Sequence, residues 1–376
     1  MKKVLMVMDN LYKDSGVVTI IMNLYSLIDK KQVKIDFLIF QGNNSSRAEN
    51  NSCVNLVRDN GSKVFILKNP LSVKQCLPAW REVYLFFKEH SNEYDIVHLN
   101  SPTLTEFTLR YAKKYGIPHR IIHSHSTMTS PNPIKKIINA LLQRRVCKYA
   151  NHFWSCSSEA AEFLYGKEFC STHDVELIKN AVRPEKYVYN HSVSIAIREE
   201  LGWSDCTIVI HVSNFSPIKN IRFLLPVIKA TVQKNSKLRY LFVGDGPTRE
   251  TVEGLLQDQN LSEYVHFTGR TSCVNDYLNA ADVLLLPSIK EGLPVTVVEA
   301  QACGLRCLVS DSVTKEVNIG NVIFLPLKEE SWIEFLSNIE PANIDQRKKA
   351  CWDFEKSPFN IYNEAKRVER LYLEMR

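Results

Sequence analysis

The sequence predicts an α/β fold of two domains, each a parallel sheet doubly wound with helices. Short apolar runs alternate with amphipathic segments from end to end, which is the pattern of parallel strands joined by crossover helices. The chain has 376 residues, more than one hydrophobic core usually serves, and this favours two domains. The segments that follow the apolar runs are rich in Gly, Ser, Asn and His, and open parallel sheets bind ligands outside the carboxyl ends of their strands.

In the first half the apolar runs KVLMVM, KIDFLIF, KVFIL, YDIVHLN, HRIIHSH and HFWSCS read as strands. Helices are expected between them, around 17 to 29, 78 to 90, 103 to 115 and 134 to 149. The second half repeats the scheme with TIVIHVS, LRYLFVG, VHFTG, DVLLLP and RCLVSD. Its helices are expected near 220 to 233, 248 to 259 and 294 to 303. The polar, Pro-containing segment NAVRPEKYVYNHS suits a domain boundary, so the reading is residues 1–185, then 186–358. The last stretch, NIYNEAKRVERLYLEM, reads as an amphipathic helix within 359–376 that packs back on the first domain.

Composition narrows the class. Hydrophobic residues make up 45% and charged residues 23%, close to average globular usage, which excludes collagen-like and wholly disordered chains. Ten cysteines form no C-x-x-C pair and read as reduced core residues of a cytoplasmic protein. No stretch approaches the roughly 18 apolar residues of a membrane span, so any membrane contact is expected to be peripheral. The net charge is +6, yet residues 107 to 158 hold nine Lys and Arg and no acid, leaving the remainder at −3. Such a segment points to a local anionic partner rather than to general nucleic-acid coating. Within it, Lys135, Lys136, Arg144, Arg145 and Lys148 interleave with Ile134, Ile137, Ile138, Leu141 and Leu142. That is the composition of a basic amphipathic helix lying on an anionic leaflet, or of a core-packed helix with a solvated basic face.

No loop matches G-x-G-x-x-G or G-x-x-x-x-G-K-[ST], and no D-x-D is present, so hydride transfer and metal-assisted phosphoryl chemistry lose support. The most informative stretch is SIKEGLPVTVVEAQACGL, in which Glu291 and Glu299 are separated by seven residues. Gly292 and Pro294 mark a turn into a helix near Val295, whose amino end suits a phosphate. Glu299, about one turn into that helix, could accept hydrogen bonds from two ribose hydroxyls, and Glu291 could hold hexose hydroxyls. Acids that merely complement the helix dipole are the alternative.

This stretch resembles the E-x7-E motif of retaining glycosyltransferases of family 4. The similarity extends through DSGVVTIIMNLYSLID, RIIHSHST, SCSSEAAEFLYG, IKNAV, VSNFSPIKN, FVGDGP and VHFTGR, and is strongest toward bacterial capsule and exopolysaccharide transferases. The resemblance implies the GT-B architecture, two Rossmann-like domains with parallel sheets facing across a cleft. It assigns Glu291 to the donor sugar, backbone N–H groups at Gly292 and Leu293 to the diphosphate, and Glu299 to the ribose. The backbone around Thr268, Gly269 and Arg270 falls to the base. His125, farther into its loop than His123, falls to hydroxyls of the donor sugar, and Gly16 to the first Gly-rich loop, where Ser15 replaces one glycine of the usual pair.

One departure bears on the chemistry. The family has Gly-Arg where this chain has Ser213 and Asn214, followed by a Lys that matches Lys219. Arg and Lys there grip the diphosphate leaving group together. Loss of such a donor costs on the order of 3 kcal/mol, about a hundredfold in rate, unless Arg270 or Lys290 compensates. The resemblance further implies a metal-independent front-face transfer with retention, no cofactor, a UDP-sugar donor, a lipid-linked oligosaccharide acceptor held by the N-terminal domain, and location at the inner face of the cell membrane. A UDP-sugar epimerase of the same architecture and a non-catalytic partner subunit are the two rival readings.

Overall fold

The computed structural model describes residues 1–12, 16–40, 51–69, 76–100, 106–125 and 147–376. They form two units, one of Met1–Asn180 with Ile361–Arg376, the other of Ala181–Asn360.

The first unit holds a seven-stranded sheet in the order β3-β2-β1-β4-β5-β6-β7, with every neighbouring pair parallel. Its strands are β1 (Lys2–Met8), β2 (Val33–Phe40), β3 (Val64–Leu67), β4 (Ile96–Leu99), β5 (His119–Ser124), β6 (His152–Ser155) and β7 (Glu176–Leu177). Helices α1 (Gly16–Leu27), α2 (Ser52–Asp59), α3 (Cys76–His90), α4 (Glu106–Lys114), α5 (Ser158–Tyr165) and α6 (Lys167–Thr172) connect them. The central strands are apolar on both faces because helices cover both. On one face Leu5, Val7, Leu38, Val97, Leu99 and Ile122 pack with Val83, Phe87 and Leu109 of α3 and α4.

The second unit holds a six-stranded parallel sheet in the order β10-β9-β8-β11-β12-β13. Its strands are β8 (Thr207–Val212), β9 (Leu238–Val243), β10 (Val265–Gly269), β11 (Val283–Leu286), β12 (Arg306–Ser310) and β13 (Val322–Leu325). Around them lie α7 (His191–Glu200), α8 (Leu224–Lys234), α9 (Arg249–Asp258), α10 (Val274–Ala280), α11 (Val295–Ala302), α12 (Glu329–Ser337) and α13 (Ile344–Glu355). Two buried charges are structural. Asp282 accepts hydrogen bonds from Arg198, Ile208 N and Ala342 N, and Arg347 donates to the carbonyls of Leu278, Asn279, Ala281 and Cys303.

The last helix, α14 (Ile361–Glu374), belongs to the first unit. Glu364 accepts from Lys179 N at 2.7 Å, and Arg367 pairs with Glu176 and the Leu177 carbonyl at the edge strand. The units part at 180/181 and 360/361 rather than at 185/186 and 358/359. Val182 N donates to the Phe359 carbonyl and bridges to Asn360, and this keeps 181–185 and 359–360 with the second unit.

Most of the helix expected at 134 to 149 lies outside the described residues. Cys147–Tyr149, which follow, form a turn rather than helix. Strand β5 stops at Ser124 and β6 at Ser155, each shorter than its apolar run.

Candidate active site

The loops at the carboxyl ends of β8 and β11 bring Lys219 and Glu291 together. After β8 a short 3-10 turn, Pro217–Lys219, ends on Asn220 in the left-handed conformation. After β11 the chain runs through Pro287–Leu293 into α11. Asn220 Nδ2 donates to the Pro287 carbonyl at 3.2 Å and Ile289 N donates to the Ile218 carbonyl at 2.9 Å, so each loop fixes the other.

Within this frame Lys219 Nζ donates to Glu291 Oε1 at 2.5 Å, and Ser288 Oγ donates to the same oxygen at 2.7 Å. The two charged side chains are 17% and 15% exposed, and removal from bulk water strengthens their attraction. Glu291 Oε2 has no hydrogen-bond partner among the described residues, so the carboxylate keeps one face open to a hydroxyl donor. The residues separately assigned to diphosphate and sugar thus share one ion pair.

Gly292 and Leu293 immediately precede the Pro294 cap of α11, which has no side-chain cap bond. Glu299 lies in the second turn of that helix. It accepts a hydrogen bond from Tyr187 OH at 2.7 Å, and burial pushes its carboxyl up to about 7, with the tyrosine bond acting in the opposite direction. Tyr187 is itself raised by burial and by the adjacent carboxylate. Sequence reasoning missed Tyr187 because it sits in the segment read as a boundary; its tyrosines had no spacing that distinguished them from surface residues.

The loop carrying the Ser213 and Asn214 departure is tightly built. His211 Nδ1 bonds to the Leu285 carbonyl at 3.0 Å, and burial holds His211 down to about 4. The neutral ring therefore donates through Nδ1 and accepts the Ser213 hydroxyl through Nε2 at 2.8 Å, while Ser213 Oγ accepts Phe215 N–H at 3.2 Å. This chain of bonds holds Phe215 at φ 44°, a costly conformation for a side-chain-bearing residue. Asn214 is exposed, and its carbonyl lies 2.0 Å from where a Cβ on Gly246 would sit. Gly269, expected at the base, ends β10 in the left-handed region at φ 70°, and Arg270 beside it is exposed.

In the first unit His125 follows β5. Asn100 turns its amide nitrogen toward the His98 carbonyl and Met6 sulfur, so its Oδ1 accepts His125 Nε2–H at 2.9 Å. Burial draws His125 down to about 3, so the ring is neutral and its Nδ1 is an acceptor. His123 is buried beneath it, ring centroids 3.9 Å apart, and its Nδ1 lies 3.1 Å from His98 Nε2. His98 continues to Tyr372 OH of α14 at 2.6 Å. His98, Asn100 and Tyr372 were not anticipated, since only the strand register and the return of the last helix bring them together. Gly16 opens α1 with open space where a Cβ would stand, so nothing in the described fold requires glycine there. Lys148 is exposed, and its carbonyl accepts Lys113 Nζ at 3.4 Å. Lys135, Lys136, Arg144 and Arg145 lie outside the described residues. No helix among the described residues is long and apolar enough to cross a membrane.

Residues 15–186 match the model of Glycosyltransferase Family 4, and residues 206–338 match that of Glycosyl transferases group 1. EpsF of Bacillus subtilis (strain 168), named as a glycosyltransferase, is 30% identical over 353 residues, covering 92% of this chain and 90% of that one. This chain belongs to glycosyltransferase family 4. The UDP-Gal:alpha-D-GlcNAc-diphosphoundecaprenol alpha-1,3-galactosyltransferase of Escherichia coli is 24% identical over 294 residues, covering 75% of this chain and 76% of its own. Among solved structures, HepE of Anabaena in complex with UDP has the same GT-B fold, with a TM-score of 0.76, 16% identity and 99% of each chain covered. The family 4 transferase thus has the two Rossmann-like sheets that its sequence predicts.

Proposed function

We propose that this glycosyltransferase moves a hexose from a UDP-sugar to a lipid-linked saccharide in bacterial capsular or exopolysaccharide assembly, with retention of configuration and without a metal. The observation that carries the reading is the Lys219–Glu291 pair beside the amino end of α11, with Glu299 on the same helix. It supplies a cation for the departing diphosphate, a carboxylate with one free oxygen for sugar hydroxyls, and a second carboxylate for the ribose. The E. coli relative's acceptor is a diphosphoundecaprenol saccharide and HepE holds UDP, which supports the same substrate classes here.

In this scheme the protein's service is positioning and charge stabilisation. Lys219 stays neutralised by Glu291 until the donor arrives, and then shares its charge with the diphosphate as the glycosidic bond lengthens. The donor's own phosphate oxygen takes the acceptor proton on the face the leaving group departs from. His125 offers Nδ1 to a substrate hydroxyl. Residues 134 to 150 rest on the anionic inner face of the cell membrane, where the lipid-linked acceptor resides.

The test is transfer from a panel of UDP-hexoses to a diphosphoundecaprenol-linked saccharide, with and without a chelator. Turnover that survives chelation and is lost in Glu291→Ala is expected. Nucleotide binding without turnover would instead favour the non-catalytic partner, a rival motivated by Asn214 in place of arginine. For the membrane contact, vesicle sedimentation should show binding to anionic and not to neutral vesicles.

A further inference from the structure

A cavity of about 350 Å³ opens at the amino ends of β12 and β13 and is walled on one side by α13. The loops that carry Lys219 and Glu291 follow the carboxyl ends of β8 and β11, so the cavity lies at the opposite edge of the parallel sheet, a strand's length of roughly 13 Å away. None of the roles above uses it. Its floor is rigid, because Gly304 turns from α11 into β12 at φ 72° and a Cβ there would lie 2.3 Å from the Arg347 carbonyl. Arg347 also lines the cavity and is only 3% exposed. Its guanidinium donates to the carbonyls of Leu278, Asn279, Ala281 and Cys303 and pairs with no carboxylate among the described residues. Carbonyl dipoles hold that charge and no opposite charge cancels it, so the space above it is at positive potential.

Two more cations stand on the walls. Arg306 donates Nη2 to the Glu340 carbonyl at 2.5 Å, and its Nε and Nη1 have no partner among the described residues. Lys349 makes no ion pair or hydrogen bond among them either. Asp353 is the one acid that lines the cavity. Asn343 Oδ1 caps α13 by accepting the Asp345 and Gln346 N–H groups at 2.9 and 3.1 Å, which leaves its amide NH2 without a partner. The side-chain amides of Asn321 and Gln346, on the same walls, are likewise unbonded among the described residues. Three cations against one carboxylate favour an anion. Three unbonded amides and a carboxylate favour hydroxyl groups, which both donate and accept. No aromatic ring lines the cavity, so a nucleobase finds no stacking surface there.

We propose that this cavity is a second ligand site, for a single hexose unit that carries an anionic group, either a phosphate or a carboxylate. Arg306 and Lys349 hold the anion above the buried charge of Arg347. The amides of Asn321, Asn343 and Gln346 donate to ring hydroxyls, and Asp353 accepts from one. The volume stands at the lower end of the range for small-molecule sites, which suits one sugar ring rather than an oligosaccharide. A bare phosphate would leave the amides unbonded, and an uncharged sugar would leave Arg306 and Lys349 unpaired. The site shares no residue with Lys219, Glu291 or Glu299, so it stands or falls apart from the nucleotide-sugar reading.

Calorimetric titration of the full chain with glucose 6-phosphate, glucuronate, glucose and inorganic phosphate tests it. One equivalent of glucose 6-phosphate or of glucuronate is expected to bind at least tenfold more tightly than glucose or inorganic phosphate, and the tighter of the two identifies the anion. Lys349→Ala and Arg306→Gln should each weaken that binding about tenfold. Lys349 is exposed on α13, so a poorly folding Arg306 variant leaves the test intact. Glu291→Ala should leave the affinity unchanged, which separates the cavity from the candidate active site. The proposal is overturned if neither anionic sugar binds at millimolar concentration, or if inorganic phosphate binds as tightly as they do. Loss of binding in Glu291→Ala, or unchanged affinity in both cavity variants, overturns it as well, and the nucleotide-sugar reading is untouched in every case.

Discussion

Glu291 takes two hydrogen bonds on one oxygen, and one of the donors is the lysine proposed above to serve the diphosphate. Removing either partner leaves the other charge half-buried and unpaired, so Lys219→Ala and Glu291→Ala should each lower turnover about a hundredfold. Groups that act as a unit are not additive, and the double variant should lose about the same hundredfold rather than the product. Initial rates over the four-member cycle check this, and multiplicative losses would separate the two roles. Glu299 gives a pH-dependent outcome. Its native carboxyl, raised to about 7, binds a proton more tightly than in the unfolded chain, where the ordinary value is 4.5, so its contribution to stability falls as pH rises through that window. In the proposed ribose-binding role nucleotide affinity runs the other way, because hydroxyls donate to the ionised form. Glu299→Gln keeps the Tyr187 bond and removes the titration that offsets the buried histidines: its melting temperature should fall more steeply than wild type's as pH drops from 8 to 5, and its nucleotide affinity should be lower and lose its rise near pH 7. As candidates, Glu291 and Glu299 stood out in the sequence because a loop entering a helix fixes their spacing, and Lys219 stood out only through the family resemblance of VSNFSPIKN. Tyr187 and Ser288 did not, since no local pattern marks a side chain whose partner is 112 residues away in one case and whose hydroxyl has many alternatives in the other.

The loop after β8 shows how one element sets the geometry of its neighbours. Its backbone fits against Gly244 and Gly246 so closely that added Cβ atoms would meet the Ser213 and Asn214 carbonyls at 1.9 and 2.0 Å. Gly246→Ala must therefore move the Asn214 backbone, and a loss of about 1–3 kcal/mol in unfolding free energy is expected, with weaker nucleotide binding. Denaturant unfolding followed by nucleotide titration measures both. An unchanged midpoint would mean that the loop yields at little cost. The same scale explains which elements were legible. Central strands such as β1 and β8 are buried on both faces and read as continuous apolar runs. Strand β7 is two residues long and offered no run to read, whereas β13 lies in the apolar run VIFL, which the strand reading omitted. Helix α13, IDQRKKACWDFE, buries Arg347 and exposes Trp352, the reverse of an amphipathic pattern, because its arginine is paid out to backbone carbonyls rather than to water.

The two units of the whole chain differ in how they respond to acid. In the first unit His98, His119, His123, His125 and His152 are all held below their ordinary value by burial. The unfolded chain takes up protons on these rings near pH 6.5 and the native unit does not, so their stabilising effect is present above that pH and is lost as pH falls below it. The second unit has His211 of this kind, drawn down to about 4, and opposes it with Glu299, whose raised carboxyl favours the native state as pH falls from about 7 toward 4.5. Five rings act together in one unit, whereas in the other the two shifts offset each other across the same window. Acidification from pH 7.5 to 5 should therefore loosen the first unit before the second. Hydrogen exchange read by mass spectrometry, with rates corrected for the intrinsic effect of pH, should show β4 and β5 losing protection while β8 and β9 keep theirs. His98→Gln should blunt the difference if it folds, and Tyr372→Phe, which spares the ring and removes its phenolic partner, should lower the melting temperature at every pH without abolishing the acid trend. Equal loss in both units, or earlier loss in β8 and β9, would mean that the buried imidazoles do not govern acid stability. The outcome also bears on the proposed function, because the neutral His125 proposed to offer Nδ1 to a substrate belongs to the unit expected to fail first.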